Sequence, residues 1–311
     1  MCQICGSNLP SRITLFDHRY ESYIEVCAGC GVGKTQRKYD QIGSEIQNYR
    51  FSHLGELIFF INRYSRVFYL RGLNLRGIPS IADWGCGRGD FLSLLTRWNS
   101  NPFGVEYSEE TAREARARGL KVYSFSQELS ELIQEKKNSS DVVFAFHCLE
   151  HTENPAEMVT LFEKILTESG TIIIEVPNFD SIQRKISGQH WNGFDSKNHY
   201  FHFTPSSLEF LLNKSGFGVK KQSTFSFEYG VTMLFFSIVR KMFFGNFDLF
   251  NSFLTEKPEK RFRFKKIFGL ALLPVFFPIG VISVALEVLF SFIGKGGVIR
   301  FRITRIPRMI D

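Results

Sequence analysis

The stretch Ser80-Ile81-Ala82-Asp83-Trp84-Gly85-Cys86-Gly87-Arg88-Gly89-Asp90 limits the fold more than any other part of the chain. A short apolar run enters three glycines at alternate positions, and the apolar segment Phe91 to Trp98 follows. Glycine tolerates positive φ and carries no Cβ, so the backbone turns sharply and lets a ligand approach closely. A helix that follows such a turn aims its free N–H groups at whatever sits there. Strand, glycine turn and helix in that order predict a ligand-binding βα turn. Two acids sharpen the reading. Asp83 lies inside the turn, and Glu106 ends the next apolar run, Pro102-Phe103-Gly104-Val105-Glu106, at the usual distance for grasping a ribose diol.

The segments that follow alternate. Strands are expected at Ser80–Asp83, Phe103–Glu106, Lys121–Phe125, Asp141–Phe146 and Thr171–Val176. Helices are expected at Thr111–Arg118, in part of Ser126–Glu135, and at Ala156–Leu166. Alternating β and α elements predict an α/β fold with a doubly wound, Rossmann-like parallel sheet, whose ligands sit at the carboxyl ends of the strands. Gly218–Phe225 reads as a sixth strand. Val298-Ile299-Arg300-Phe301-Arg302-Ile303-Thr304 alternates apolar and basic residues, which suits a seventh strand returning antiparallel beside it.

From about Ile78 to Phe225 these residues resemble the class I S-adenosylmethionine (SAM)-dependent methyltransferases. Asp-x-Gly-Cys-Gly-x-Gly followed by Gly-Val-Glu looks like the family's first motif and the acid after it. The resemblance implies SAM binding by Asp83, Gly85, Cys86, Gly87, Gly89, Glu106 and Tyr107. His147-Cys148-Leu149-Glu150-His151 with Asn154-Pro155 is similar to the family's segment after strand four, which lines the cleft and implies cofactor contacts from His147 and Cys148. The acid that the family carries at the third strand has no counterpart in Tyr123-Ser124-Phe125-Ser126-Gln127, where Ser126 or Gln127 stands in its place. Leu57 to Leu70 reads as an amphipathic helix over the first strand. Tyr49 and Arg63 in this lead-in are candidates to reach the SAM carboxylate.

Candidate catalytic groups lie beyond strand five. Gln189-His190-Trp191-Asn192-Gly193-Phe194-Asp195 and Asn198-His199-Tyr200-Phe201-His202-Phe203-Thr204-Pro205 resemble the substrate region of a methyltransferase subgroup common in glycan and lipid pathways. Imidazole and aromatic groups clustered at strand ends suit sugar stacking or general-base work, with His151, His199 and His202 as candidate bases. His147-x-x-Glu150-His151 also matches a zinc-peptidase pattern, but that pattern needs both histidines on one helix face, and His147 ends a strand.

Cys2-x-x-Cys5-Gly6 and Cys27-x-x-Cys30-Gly31 form two knuckles 21 residues apart. Four thiolates are what tetrahedral zinc needs, and with every ligand position filled the zinc would be structural. A relaxed phosphate-loop pattern overlaps at Ala28 to Thr35. The polar residues after Thr35 do not make the helix that such a loop requires.

The C-terminal part differs from the rest. Residues 229–311 carry 13 basic and 5 acidic groups, more than the whole net charge of +7, and 15 of the 34 phenylalanines. Phe268 to Gly294 is a 27-residue run whose one charge is Glu287, interrupted by Pro274 and Pro278. Basic groups between apolar runs suit an anionic membrane surface better than nucleic acid. A single crossing would separate strand seven from its sheet, so a re-entrant or interfacial hairpin is expected, with a buried dimer or lid contact as the alternative.

The expected organisation is a zinc-ribbon-like module at 1–38, a SAM-binding core at 39–228, an apolar and basic insertion at 229–296, and a final strand and tail at 297–311. The expected function is methyl transfer to an oxygen or carbon of a sugar, lipid-linked glycan or prenylated small molecule on the cytoplasmic membrane face. A soluble nucleotide-sugar methyltransferase with a dimerising insertion, and a non-enzymatic membrane adaptor that keeps the SAM-binding fold, are the rivals.

Overall fold

The computed structural model describes residues 1–17, 21–37, 64–66, 80–98, 101–242 and 262–307. Tyr49, Arg63 and nearly all of the lead-in helix expected at Leu57–Leu70 lie outside them.

Strand β4 (Ser80–Trp84) is buried at four of its five positions and sits inside the main sheet. The run is apolar apart from Ser80 and Asp83, as a strand covered on both faces requires. Its neighbours are β5 (Asn101–Glu106) and β7 (Ser140–Phe146), both parallel to it. Beyond them lie β6 (Val122–Ser124), β8 (Leu166–Pro177), β10 (Phe217–Ser223) and β11 (Val298–Arg305). The order is β10-β11-β8-β7-β4-β5-β6. β11 runs antiparallel to both β8 and β10, so the seventh strand lies where the alternating Val298–Thr304 pattern puts it. The sheet is mixed and Rossmann-like. The strand order reverses at β4, which makes the carboxyl ends of β4 and β7 the crevice of the fold.

Helices cover the sheet. They are α1 (Asp90–Leu95), α2 (Glu109–Ala117), α3 (Phe125–Glu135), α4 (Pro155–Ile165), α5 (Ile182–Ser187) and α6 (Pro205–Lys214). Their starts follow from the sequence. Ser108 caps α2, Asn154 caps α4 ahead of Pro155, and Thr204 closes a reciprocal capping box with Ser207 on α6. α3 is a complete helix rather than a partial one.

The N-terminal strands β1 (Ser11–Asp17), β2 (Ser22–Cys27) and β3 (Gly33–Arg37) form a second, antiparallel sheet. Gly33–Arg37 is a strand, so no phosphate-loop helix follows Cys30. This sheet gains a fourth strand from far along the chain. β9 (Phe201–His202) pairs with β3 through Gly33 opposite His202 and Lys34 opposite Phe201. Ile4, Cys27 and Val32 share one apolar core with Phe201 and Phe203 and with the main sheet.

Between β10 and β11 stand a π-helical turn (Phe227–Val231), α7 (Thr232–Met242) and α8 (Phe262–Phe292). The expected hairpin within 268–294 is absent. α8 is one continuous helix of 31 residues through Pro274 and Pro278. The two prolines are four residues apart and both exposed, so the hydrogen bonds they remove fall together on the outer face. Ile279, Ser283 and Glu287 recur at four-residue spacing and form the buried stripe. Elsewhere on 274–292 the surface is largely apolar and exposed, Phe277 by 74% and Phe292 by 89%.

Candidate active site

The turn after β4 has the geometry that its glycines imply. Gly85, Gly87 and Gly89 all have positive φ, at 74°, 56° and 78°. They differ in what a side chain would meet. A Cβ on Gly89 would lie 2.2 Å from Leu120 Cδ1, so that glycine serves packing. A Cβ on Gly85 would lie 3.2 Å from Cys148 Cβ, which brings the segment after β7 against the turn. A Cβ on Gly87 would meet nothing within 4 Å. The open side of the turn is therefore at Gly87, where a ligand has room to approach the backbone.

Glu106 at the end of β5 accepts from Gly87 N at 2.8 Å and from Ser108 N at 3.0 Å. Each carboxylate oxygen keeps a second lone pair for a hydroxyl. Asp83 is buried beneath the turn, and its charge acts on Arg66 and on the Cys148 thiol. Cys86 is buried, with its sulfur close to where a Cβ on Gly104 would stand. Tyr107, 73% exposed, stacks on Phe125 with ring centroids 5.3 Å apart, and Ser126 lies beside Ser124, the two hydroxyls 3.2 Å apart. These residues form one rim along the carboxyl ends of β4, β5 and β6.

The opposite rim begins at His147, which follows β7 with φ 54°. A non-glycine residue in the left-handed region is strained. The strain is held by contacts on both ring nitrogens, Nδ1 to Glu150 at 3.2 Å and Nε2 to Glu175 at 3.1 Å. The ring also stacks on Tyr229, with centroids 3.4 Å apart. Burial opposes charge on this imidazole, but the two carboxylates outweigh it and raise its pKa to about 9. Glu175, on β8, also receives Arg300 from β11, Nε to Oε2 at 2.6 Å, and the Ser226 hydroxyl at 3.1 Å. Burial alone would raise the Glu175 pKa, yet Arg300 and His147 hold it down at about 2. Burial, with the acids Glu150, Asp83 and Glu106 nearby, pushes the Cys148 thiol well up, so it stays protonated.

The three candidate bases are neighbours but not equivalents. His151 is exposed on a 3₁₀ turn, Leu149–His151, with Nδ1 3.2 Å from Asn198 O. Its ring meets His199 edge to face, with centroids 4.6 Å apart. His199 is buried, and that burial together with the nearby His151 charge lowers its pKa to about 4. It is neutral at ordinary pH, as a proton acceptor must be. His202 is also kept neutral by burial, but Nε2 lies 2.9 Å from Thr35 Oγ1, and Phe179 and Phe194 flank the ring. Its geometry is that of a strut between β9 and β3. Glu175, Arg300 and Tyr229 carry no motif of their own, and only the folded sheet brings them to His147.

At the N-terminus the four cysteines converge. Cys2 Sγ is 3.8 Å from Cys30 Sγ and Cys5 Sγ is 3.7 Å from Cys27 Sγ, with all four within 4.8 Å of one another.

The chain belongs to the methyltransferase-domain family, whose model matches residues 45–222. It is 28% identical over 116 residues to a probable S-adenosylmethionine-dependent methyltransferase of Mycolicibacterium smegmatis, covering 37% of this chain and 45% of that protein. It is 26% identical over 118 residues to an uncharacterized transposon protein of Streptomyces fradiae, covering 36% of this chain and 34% of that one. The matched stretches thus span less than half the length of these relatives. Among solved structures, a SAM-dependent methyltransferase from Archaeoglobus fulgidus superposes with a TM-score of 0.49 at 20% identity, over 81% of this chain and 94% of that one.

Proposed function

We propose that this protein transfers a methyl group from SAM to an oxygen or carbon of a sugar, a lipid-linked glycan or a prenylated small molecule at a membrane face. The observation that carries the reading is the open backbone at Gly87, held by Glu106, in a turn whose Gly85 abuts Cys148. Gly85 and Gly87 would receive the amino-acid end of the cofactor beside the α1 N-terminus, Glu106 the ribose hydroxyls, and the Tyr107, Phe125 and Ser126 rim the adenine. SAM supplies an electrophilic methyl on a sulfonium, which an aligned nucleophile displaces in line. The chain's part is then largely positioning. His199, neutral and buried, and His151 beside it are the groups best placed to take the acceptor proton.

The four cysteines would hold a structural zinc. A tetrahedral site with bonds of about 2.3 Å needs sulfurs about 3.8 Å apart, which the Cys2–Cys30 and Cys5–Cys27 separations match.

The membrane part of the proposal is supported by α8. Its segment Pro274–Phe292 is long and apolar enough to cross a bilayer, yet the helix packs on α7 and the π-helical turn, and Glu287 on its buried stripe accepts from Gln183 of α5 and from Gly297 N. A helix pinned along one side in this way suits lying in the interface better than spanning. The net +8 on residues 229–311 favours the anionic cytoplasmic leaflet. The same exposed face, with Phe277, Val281, Leu289 and Phe292, also suits a homodimer of a soluble enzyme. Incubation of the protein with methyl-labelled SAM and an extract of its source cell tests the proposal. Label in the organic phase supports a lipid-linked acceptor. Label in water-soluble sugars supports the soluble dimer. No label in either fraction, with SAM still bound, supports the non-enzymatic adaptor.

A further inference from the structure

A second cluster of ligand-type side chains stands beside the open turn. Glu150, His151 and His199 each bring one ligand atom to within 4.8 Å of the others. Two of the three are buried with an atom that has no partner. Glu150 is 1% exposed, and its Oε1 is 3.2 Å from His147 Nδ1 while its Oε2 has no hydrogen bond. His199 is 7% exposed, and its Nδ1 has none. An unsatisfied buried carboxylate oxygen costs free energy, so a site that retains one calls for a ligand. The third member, His151, is exposed, which leaves the cluster open toward solvent. His147 is not part of it, because both of its ring nitrogens are taken by Glu150 and Glu175.

We propose that Glu150, His151 and His199 bind a divalent first-row transition metal, with Zn2+ as the best fit, separate from the four-cysteine site. Two imidazoles and a carboxylate are a zinc ligand set that leaves a coordination position free. Cys148, two residues before Glu150, abuts Gly85, so an acceptor hydroxyl on that position would stand near the glycine turn with its pKa lowered by the cation, and His151 and His199 would then serve as ligands while the proton leaves to solvent. This role rests on the methyl-transfer reading; the binding of the ion does not.

The test is a Co2+ titration of the full-length protein followed in the visible spectrum. Cobalt bound by cysteines gives intense sulfur-to-metal charge-transfer bands, whereas cobalt bound by imidazole and carboxylate gives weak d–d bands alone. The expected result is one site of each type. Glu150→Gln and His199→Ala would each weaken the sulfur-free site at least tenfold and leave the sulfur bands in place, with circular dichroism matching the wild type. Cys5→Ser would weaken the sulfur bands. A wild-type spectrum with sulfur bands alone, or a sulfur-free site that persists in both variants, overturns the proposal and assigns the unpartnered atoms to water. SAM affinity, measured on the same samples without added metal, tests the methyltransferase reading separately.

Discussion

His202 and Thr35, 167 positions apart in the sequence, meet with Nε2 and Oγ1 2.9 Å apart, where β9 joins the N-terminal sheet. Three residues before His202, His199 stands in the candidate active site. Arg37 reinforces the link, donating from Nη2 to His199 O at 3.0 Å and from Nε to Ser196 O at 2.9 Å. The cysteine module is therefore a bracket for the loop that carries His199.

Loss of the zinc proposed at the four cysteines is expected to act at a distance. Cys27→Ser should lower kcat and raise the acceptor KM. SAM affinity should change less than about threefold, because the glycine turn lies on the other sheet. Parallel loss of SAM binding and turnover would mean that the module holds the whole fold rather than this loop.

The glycines of the turn should separate by their surroundings. Gly89→Ala places a Cβ against Leu120 and should cost about 1–3 kcal/mol of stability in urea titrations. Gly87→Ala meets no atom, so its stability cost is the left-handed backbone alone, about 1–2 kcal/mol, while SAM affinity falls more steeply. Equal losses of stability and affinity in the two variants would contradict these assignments.

Arg300 and Glu175 form a buried ion pair between adjacent strands, and removing Arg300 leaves the buried Glu175 with His147 and Ser226 alone. Arg300→Leu should cost about 3–5 kcal/mol, and the double variant Arg300→Leu/Glu175→Gln should recover part of it. Chemical denaturation of the three proteins measures this. No recovery in the double variant would show that His147 and Ser226 depend on Glu175 more than on charge balance.

The docking of α8 should depend on pH. Burial raises the Glu287 pKa to about 7 from 4.5, against hydrogen bonds from Gly297 N and Gln183. A carboxyl with a raised folded-state pKa binds its proton more tightly in the folded protein. Its contribution is therefore full below about pH 4.5 and is lost as pH rises through 7, on the order of 3 kcal/mol in all. Protection factors of the Ile279–Phe292 amides, corrected for base-catalysed intrinsic exchange, should fall across that range in the wild type and stay flat in Glu287→Gln. A flat wild-type profile would remove Glu287 as the anchor.

Much of the frame was legible in the sequence because its signals are local. The glycine turn, the apolar β7 run and the alternation in Val298–Thr304 each fix an element within a few residues, and β11 lies in its sheet as read. The rest depends on long-range pairing. Nothing near Phe201–His202 marks β9, since a two-residue strand exists only because Gly33 and Lys34 stand opposite. Glu175 reads as one more position in a buried strand until Arg300 and His147 face it. The continuous helix through Pro274 and Pro278 was unexpected for a related reason. Proline penalises a helix locally, and only the buried stripe at Ile279, Ser283 and Glu287 offsets that penalty.

The central claim is that the backbone around Gly87 holds SAM, and calorimetric titration of the full-length protein with SAM tests it most directly. The account predicts saturable binding to the wild type and none to a folded Gly87→Val variant. Undetectable binding to the wild type, or equal affinity in the variant, would contradict it.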